Sequence, residues 1–314
     1  MAQPASPRGV GLVGPSTLLI RFLSFCITKN HPDVMTNPLP DALLSYARRT
    51  VVVTGAATGM GAETVALLLE TGAEVHALDI AEVTTPVTSA QRVDLGDPVS
   101  IDGVLDDLPP RIDALMHCAG IPGGTRFDPR TVVRVNFLGL RHLTEAVFDR
   151  MGDDASITSI ASLAGGGWPG HRTEIFELLA TDDFVAGDAW LDGRDDLVGD
   201  GYSFSKECVQ FWTMWRSTSA IRSGVRVNAI CPGVTDTKIM VDFRQAMGDA
   251  AIDMTADAGI GRLASPTEMA PAMLFLGHHQ AASYINGVNL DIDGGFMAAL
   301  TTGQVDFSKY NLGS

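Results

Sequence analysis

Apolar positions along the chain fall into short β-branched runs separated by stretches with helical spacing. Val51-Val52-Val53 reads as a buried strand, and beyond a glycine-spaced turn Ala62 to Thr71 reads as a helix. Glu74 to Ile80 predicts a second strand, Gln91 to Leu95 a short third and Asp113 to Cys118 a fourth. A long helix is expected over Thr131 to Arg150, a fifth strand over Ala155 to Ala161 and a further helix opening at Tyr202. Val225 to Ile230 supplies a sixth strand, and the segment from Ile285 to Gly295 a seventh that runs into a glycine turn. About seven strands alternating with helices predict an α/β protein built on one parallel sheet. No internal repeat, linker or second domain is visible, so a single domain is expected.

The first strand, its turn and the following helix carry the strongest local signal. Thr54-Gly55-Ala56-Ala57-Thr58-Gly59-Met60-Gly61 joins a buried strand to a helix N-terminus. Backbone N–H groups and the helix dipole then point at one spot, which suits a phosphate. Glycines let the backbone approach a pyrophosphate with no Cβ in the way. A glycine-rich turn without a ligand is the alternative. Asp79, ending the second strand, offers a carboxylate to ribose hydroxyls and repels a 2′-phosphate. Thr58 is not basic and no Arg directly follows Asp79, so NAD is favoured over NADP; a plain cap on the strand end competes with this reading.

Composition removes several classes. The 314 residues carry a net charge of −15, which argues against nucleic-acid or anionic-membrane partners. Cys26, Cys118, Cys208 and Cys231 show neither metal-ligand spacing nor a disulfide framework, so no metal is expected and a reducing cytoplasm is the simpler setting. His278-His279 reads as a helix end. Residues 1–48 precede the first strand as an N-terminal extension, disordered or upstream of the true start. Val10 to Thr28 is interrupted by Pro15 and Arg21 and does not read as a transmembrane helix. Met35 is a candidate start, a hypothesis that a native intact mass including residues 1–34 would sink.

Further on, Asn136 is a poor helix former in mid-helix, explained by function or by a satisfied core position. Leu163 to Gly201 is acidic, and Ile175, Phe176, Leu178, Leu179, Phe184, Val185, Trp190 and Leu191 have partly helical spacing. This insert predicts a helical excursion over the active site, shaping substrate access or a subunit interface, with a passive surface insertion as the alternative. Tyr202 and Lys206 share one helix face by their i, i+4 spacing.

The Thr-Gly-x-x-x-Gly-x-Gly turn, Cys118-Ala119-Gly120, Asn136, Ser162, Tyr-x-x-x-Lys and Pro232-Gly233-Val234-Thr235-Asp236-Thr237 occur in one order from Arg49 to about Phe296. The chain therefore resembles the short-chain dehydrogenase/reductase family. The long Ser-to-Tyr insert, the Cys-Ala-Gly variant and the Pro-Gly segment resemble its bacterial 3α-hydroxysteroid dehydrogenase/carbonyl reductase and coniferyl-alcohol dehydrogenase subgroup. The resemblance implies a Rossmann-type doubly wound sheet over residues 49–314 with a helical insert at 163–201. It implies a catalytic set of Asn136, Ser162, Tyr202 and Lys206, selecting Ser162 over Ser159. It assigns the cofactor to Gly55, Thr58, Gly59, Met60, Gly61, Asp79, Asp94, Leu95, Cys118, Ala119, Gly120, Tyr202, Lys206, Pro232, Gly233, Thr235 and Thr237. Asp94 and Leu95 would meet the adenine, and Thr235 the carboxamide. The chain has His117-Cys118 where the family usually has Asn-Asn, losing an amide that ties neighbouring strands. Tyr202 would be the general base, its phenol lowered by Lys206 and the nicotinamide; Asn136 would hold a relay water. The substrate wall is expected from the insert and Lys238 to Gly261. The implied substrate is a small hydrophobic alcohol or ketone, the partner a second copy in a homodimer or homotetramer. An NAD-binding redox sensor on the same fold is the competing class, which the complete catalytic set disfavours.

Overall fold

The computed structural model describes residues 44–237 and 239–310, so the readings placed on residues 1–43, Lys238 and 311–314 lie outside the described residues. The strands are β1 (Thr50–Thr54), β2 (Glu74–Asp79), β3 (Ser89–Arg92), β4 (Ile112–His117), β5 (Met151–Ile160), β6 (Arg226–Pro232) and β7 (Asn289–Ile292). They form one sheet in the order β3-β2-β1-β4-β5-β6-β7, every neighbouring pair parallel. The order reverses between β1 and β4. In an open α/β sheet that reversal opens a crevice at the carboxyl ends of the strands.

Period-two alternation explains why the sheet is covered on both faces. Val52, Leu115, Ile157 and Val227 point into one apolar layer, and Val51, Val53, Ala114 and Met116 into the other. The second layer is closed by α1 (Gly59–Glu70) and a later helix, Pro266–Gly277, through Val65, Leu68, Met273 and Leu274. Strands β4 and β6 are fully buried, whereas edge strands β3 and β7 are half-exposed. β3 begins earlier than the apolar pattern suggested. Val93 and Leu95 are buried, but beyond the ladder, where Asp94 Oδ1 accepts the Gly96 N–H and turns the chain.

A short helix α2 (Pro98–Asp102) precedes β4. The long helix α3 after it is not uniform. Pro129–Val133 and Gly139–Val147 are α-helical, with a π-helical turn over Arg134–Leu138 between them, and Phe148–Arg150 closes in a 3-10 turn. Such turns widen a helix locally and concentrate at functional sites. Here it holds Asn136.

The insert is a 3-10 segment Leu163–His171 followed by α4 (Arg172–Leu179), α5 (Phe184–Trp190) and α6 (Asp195–Val198), and it feeds α7 (Tyr202–Ala220). Its body does not lie over the active site. Ile175, Leu178, Leu179, Phe184 and Leu191 belong to the core cluster of α3 and α7, and Trp190 stacks on Phe204 at 6.3 Å between ring centroids. Asp188 binds both Arg130 and Arg134 of α3, with Arg130 Nε at 2.7 Å. Arg141 donates to Thr181 Oγ1 at 3.0 Å. The amphipathic spacing had a physical cause, but the face it serves is the outer side of the helix layer. After β6 come α8 (Met240–Met247), α9 (Asp249–Ala258), α10 (Pro266–Gly277) and, beyond β7, α11 (Phe296–Thr301). Among the described residues no helix is long and apolar enough to cross a membrane.

Candidate active site

The glycine turn leaves β1 at the sheet's carboxyl edge and enters α1 with Thr58 at its N-cap, whose side chain makes no capping hydrogen bond. The first turn of α1 contains no acidic residue, so its dipole is uncompensated. A Cβ at Gly61 would overlap the Gly55 carbonyl, so the close packing of turn on helix requires glycine there. Gly59, with φ +58°, faces open space, its nearest neighbour being Thr237 Cγ2 at 3.9 Å from a built Cβ. The turn is thus a backbone cradle of a kind that accepts a pyrophosphate. Asp79 sits beside it. Its Oδ2 accepts the Ala57 N–H at 2.9 Å and its Oδ1 the Ala81 N–H at 2.8 Å, so the carboxylate braces the turn and retains lone pairs for a hydroxyl. Asp94 and Leu95 follow β3 on the same edge of the sheet.

Further along that edge lies a cavity of about 490 Å³, within the range of small-molecule sites. Of the sequence-predicted residues it brings together Met60, Cys118, Gly120, Ser162, Tyr202, Lys206, Pro232, Gly233, Thr235 and Thr237. Gly55, Thr58, Gly59, Gly61, Asp79, Asp94, Leu95, Ala119 and Asn136 stand outside its wall, most of them along the glycine turn and the β2 and β3 ends. Thr235 is pinned by its bridge to Ala264 and by donating to the Gly233 carbonyl at 3.1 Å.

Ser162 follows β5 by two residues and caps the 3-10 segment, its Oγ accepting the Ala164 N–H at 3.2 Å, and its hydroxyl lies near enough to the Tyr202 phenol to act on its pKa. Tyr202 opens α7, and Lys206 follows one turn later, its ammonium 5.8 Å from the Tyr202 ring centre and donating to the Ile160 carbonyl at 2.8 Å. Lys206 does not draw the phenol down here. Burial dominates and raises Tyr202 to about 12; the Ser162 hydrogen bond works against it and the Asp200 charge adds to it. The same desolvation pushes Lys206 down to about 8, because both groups share one water-poor wall. Burial likewise raises the Cys118 thiol to about 12.

Asn136 reaches across from the π turn. Its Oδ1 accepts the Ile121 N–H at 2.8 Å, and its Nδ2 donates to the Ile121 carbonyl at 3.0 Å and to Ser205 Oγ at 3.1 Å. Both amide hydrogens are therefore used, and the side chain clamps the loop after β4 onto α7. His117, standing where the family has Asn, ties its strand to a helix and not to a neighbouring strand. Its Nε2 meets Thr144 Oγ1 at 2.8 Å, linking β4 to α3, and burial keeps it neutral with a pKa lowered to about 3.

Gln210, Phe296 and Met297 escaped the sequence reading, whereas Phe243 and most of the apolar wall fall inside Lys238 to Gly261, the stretch from which the substrate wall was expected. Gln210 is buried and donates Nε2 to the Ser162 carbonyl at 2.7 Å. It continues the Tyr202–Lys206 face by another four residues, a spacing that was there to be read. Phe243 of α8 sets its edge on the Tyr202 ring at 5.0 Å. The remaining wall is soft and apolar, with Met240, Met247, Met254, Ile252, Phe296 and Met297. From the insert only Leu163, Ala164 and Asp200, at its two ends, line the cavity.

A nucleotide cradle at the switch point of a parallel sheet, next to a Ser–Tyr–Lys wall, defines a nicotinamide-dependent oxidoreductase of the doubly wound α/β class. A family model described as "short chain dehydrogenase" matches residues 49–172, and one described as "Enoyl-(Acyl carrier protein) reductase" matches residues 198–297. The chain belongs to the short-chain dehydrogenase/reductase family and is an oxidoreductase acting on alcohols or carbonyls. The interval between the two matches is the body of the insert. The coniferyl-alcohol dehydrogenase of Pseudomonas sp. (strain HR199 / DSM 7063) is 33% identical over 253 residues, covering 80% of this chain and 98% of that protein. The 3-alpha-hydroxysteroid dehydrogenase/carbonyl reductase of Comamonas testosteroni is 29% identical over 257 residues, covering 80% and 97%. The crystal structure of the 3-alpha-hydroxysteroid dehydrogenase from Pseudomonas sp. B-0831 complexed with NADH matches with a TM-score of 0.68 at 26% identity, covering 82% of this chain and 100% of that one.

Proposed function

We propose that the protein is an NAD-dependent dehydrogenase that interconverts a hydrophobic alcohol and its carbonyl, with an aromatic allylic alcohol of the coniferyl type as its substrate class. The observation that carries this reading is the convergence of Ser162, Tyr202 and Lys206 on one wall of a cavity whose other walls are methionine, isoleucine and phenylalanine. The same cavity has to admit the nicotinamide end of the cofactor, which favours a one-ring substrate over a four-ring steroid. The relative named for coniferyl alcohol supports the same class.

When bound, the nicotinamide supplies the carbon that takes or gives the hydride. Tyr202 takes the proton of the substrate hydroxyl in oxidation and returns one to the carbonyl oxygen in reduction. Ser162 holds that oxygen and the phenol together, and Gln210 keeps Ser162 in place from behind. Lys206, fixed by the Ile160 carbonyl, keeps a positive charge beside the ring that becomes phenolate, and it would also hold the nicotinamide ribose. Asn136 positions the loop at Ile121 and retains one Oδ1 lone pair for a water through which the proton leaves. The preference for NAD rests on Asp79, whose charge is locked beside the cradle by two backbone N–H groups. Arg92, its register partner on β3, is engaged in donating to the Ile80 carbonyl at 3.1 Å. Nothing in the site favours the regulatory module over an enzyme.

The test is nicotinamide absorbance on purified protein with NAD or NADP against coniferyl alcohol, a 3α-hydroxysteroid and simple secondary alcohols. Turnover of coniferyl alcohol with NAD, absent in Tyr202→Phe, is the expected result. Turnover of the steroid alone would overturn the substrate class, and a preference for NADP would overturn the role given to Asp79.

A further inference from the structure

Asp200 stands in the cavity wall two residues before Tyr202. Among the described residues that line the cavity it is the sole carboxylate, and Lys206 is the sole cation. The Lys206 ammonium is committed to the Ile160 carbonyl and to the reacting end of the cavity. No described lining residue is therefore left to neutralise an anionic substituent on a substrate, and Asp200 contributes a field of the opposite sense. Its position is built. The Oδ1 atom accepts the Tyr202 N–H at 3.0 Å, and a Cβ at Gly123, packed against the carboxylate, would overlap Oδ2. Glycine at 123 makes the room that the carboxylate occupies.

We propose that Asp200 is a specificity-determining residue that makes the cavity a charge filter, admitting neutral alcohols and carbonyls and turning away those that carry a carboxylate. The inference rests on the dehydrogenase reading above and names the substrate class more narrowly. An ionised substrate would lose its hydration on entering an apolar cleft, find no free cation among the described lining residues, and meet a like charge. Because Asp200 is exposed at the mouth, the repulsion is screened by solvent and salt. A neutral substrate escapes both costs.

A matched pair isolates the effect: 4-(3-hydroxyprop-1-enyl)benzoate and its methyl ester, which share the allylic alcohol and differ in one remote charge. The wild-type protein should prefer the ester in kcat/KM, and its preference should shrink as sodium chloride is raised. Asp200→Asn keeps an Oδ1 acceptor for the Tyr202 N–H and removes only the charge. It should narrow the preference by about three- to fivefold, the size of one like-charge contact across a half-solvated cleft, through the KM of the acid. A merely structural role would move both substrates together. An unchanged ratio in Asp200→Asn overturns the filter and leaves the dehydrogenase intact. Calorimetric titration of both probes into the protein with NADH reads the filter without catalysis. Ester binding that outlasts acid binding, with no turnover of either, upholds the filter and overturns the dehydrogenase reading; binding of neither probe overturns both.

Discussion

Lys206 is held at a thermodynamic cost that can be measured. Burial pushes its ammonium from 10.5 down to about 8, and the residue is only 4% exposed. A folded pKa below the unfolded one means that the unfolded chain binds more protons between about pH 8 and 10.5. Wild-type stability therefore rises with pH across that window, and the cost of burying the charge is fully present below it. At roughly 1.4 kcal/mol per pKa unit the cost is about 3 kcal/mol at pH 7 and about 2 kcal/mol at pH 9. Lys206→Met removes the charge but leaves the Ile160 carbonyl without its donor, a loss of about 1–2 kcal/mol. The variant should be inactive and yet more stable than the wild type by about 1–2 kcal/mol at pH 7, with the advantage shrinking by about 1 kcal/mol at pH 9. Urea unfolding without added nucleotide, followed by fluorescence of the fully buried Trp212, reads both values. Taking the difference between the two proteins cancels the buried thiols of Cys118 and Cys231, which also titrate differently on unfolding. A stability difference that stays flat between pH 7 and 9 would refute the reasoning.

Other perturbations separate chemistry from scaffolding. Tyr202→Phe should abolish turnover while the affinity for NADH, read by fluorescence titration, stays within about threefold; retained turnover would remove Tyr202 from the proton path. Asn136→Ala strips three hydrogen bonds and frees the Ile121 backbone, so it should lower stability by about 2 kcal/mol and kcat more than tenfold, and an unaffected kcat would reduce Asn136 to a core residue. At Asp188 burial alone would raise the carboxyl, but hydrogen bonds from Arg134 and then Arg130 outweigh it and hold the group at about 2. Its stabilisation is present above the unfolded value of 3.8 and is lost as pH falls through about 2. Asp188→Ala should cost about 1–2 kcal/mol at pH 7, discounted because the arginines are about a third exposed, and leave kcat/KM near wild type. A tenfold loss of kcat/KM at unchanged stability would instead return the insert to the active site.

The parts of this molecule that follow from local physics were legible in its sequence, and those that depend on which face meets which were not. The strand, turn and helix around Gly55 to Gly61 are dictated within a dozen residues, because a buried β-branched run and a sterically demanding turn leave few alternatives. Tyr202 and Lys206 follow from helical spacing, and Gln210 follows from the same spacing carried one turn further. The π turn at Asn136 has no such signature. Its residues read as ordinary helix, and the partners that its Asn136 meets, Ile121 and Ser205, lie on other elements. The apolar period of the insert announces that Ile175, Leu178 and Phe184 will be buried but says nothing about the surface that buries them. That surface is α3 and α7, selected by the arginine pair around Asp188. Asp200 is the sharpest case. Within the sequence it is one more acidic residue at the end of an acidic insert, and what distinguishes it is a glycine some seventy-odd positions earlier that the fold carries against its carboxylate. Specificity built by two distant residues, one acting by its charge and one by its missing Cβ, becomes readable only when the fold has brought them together.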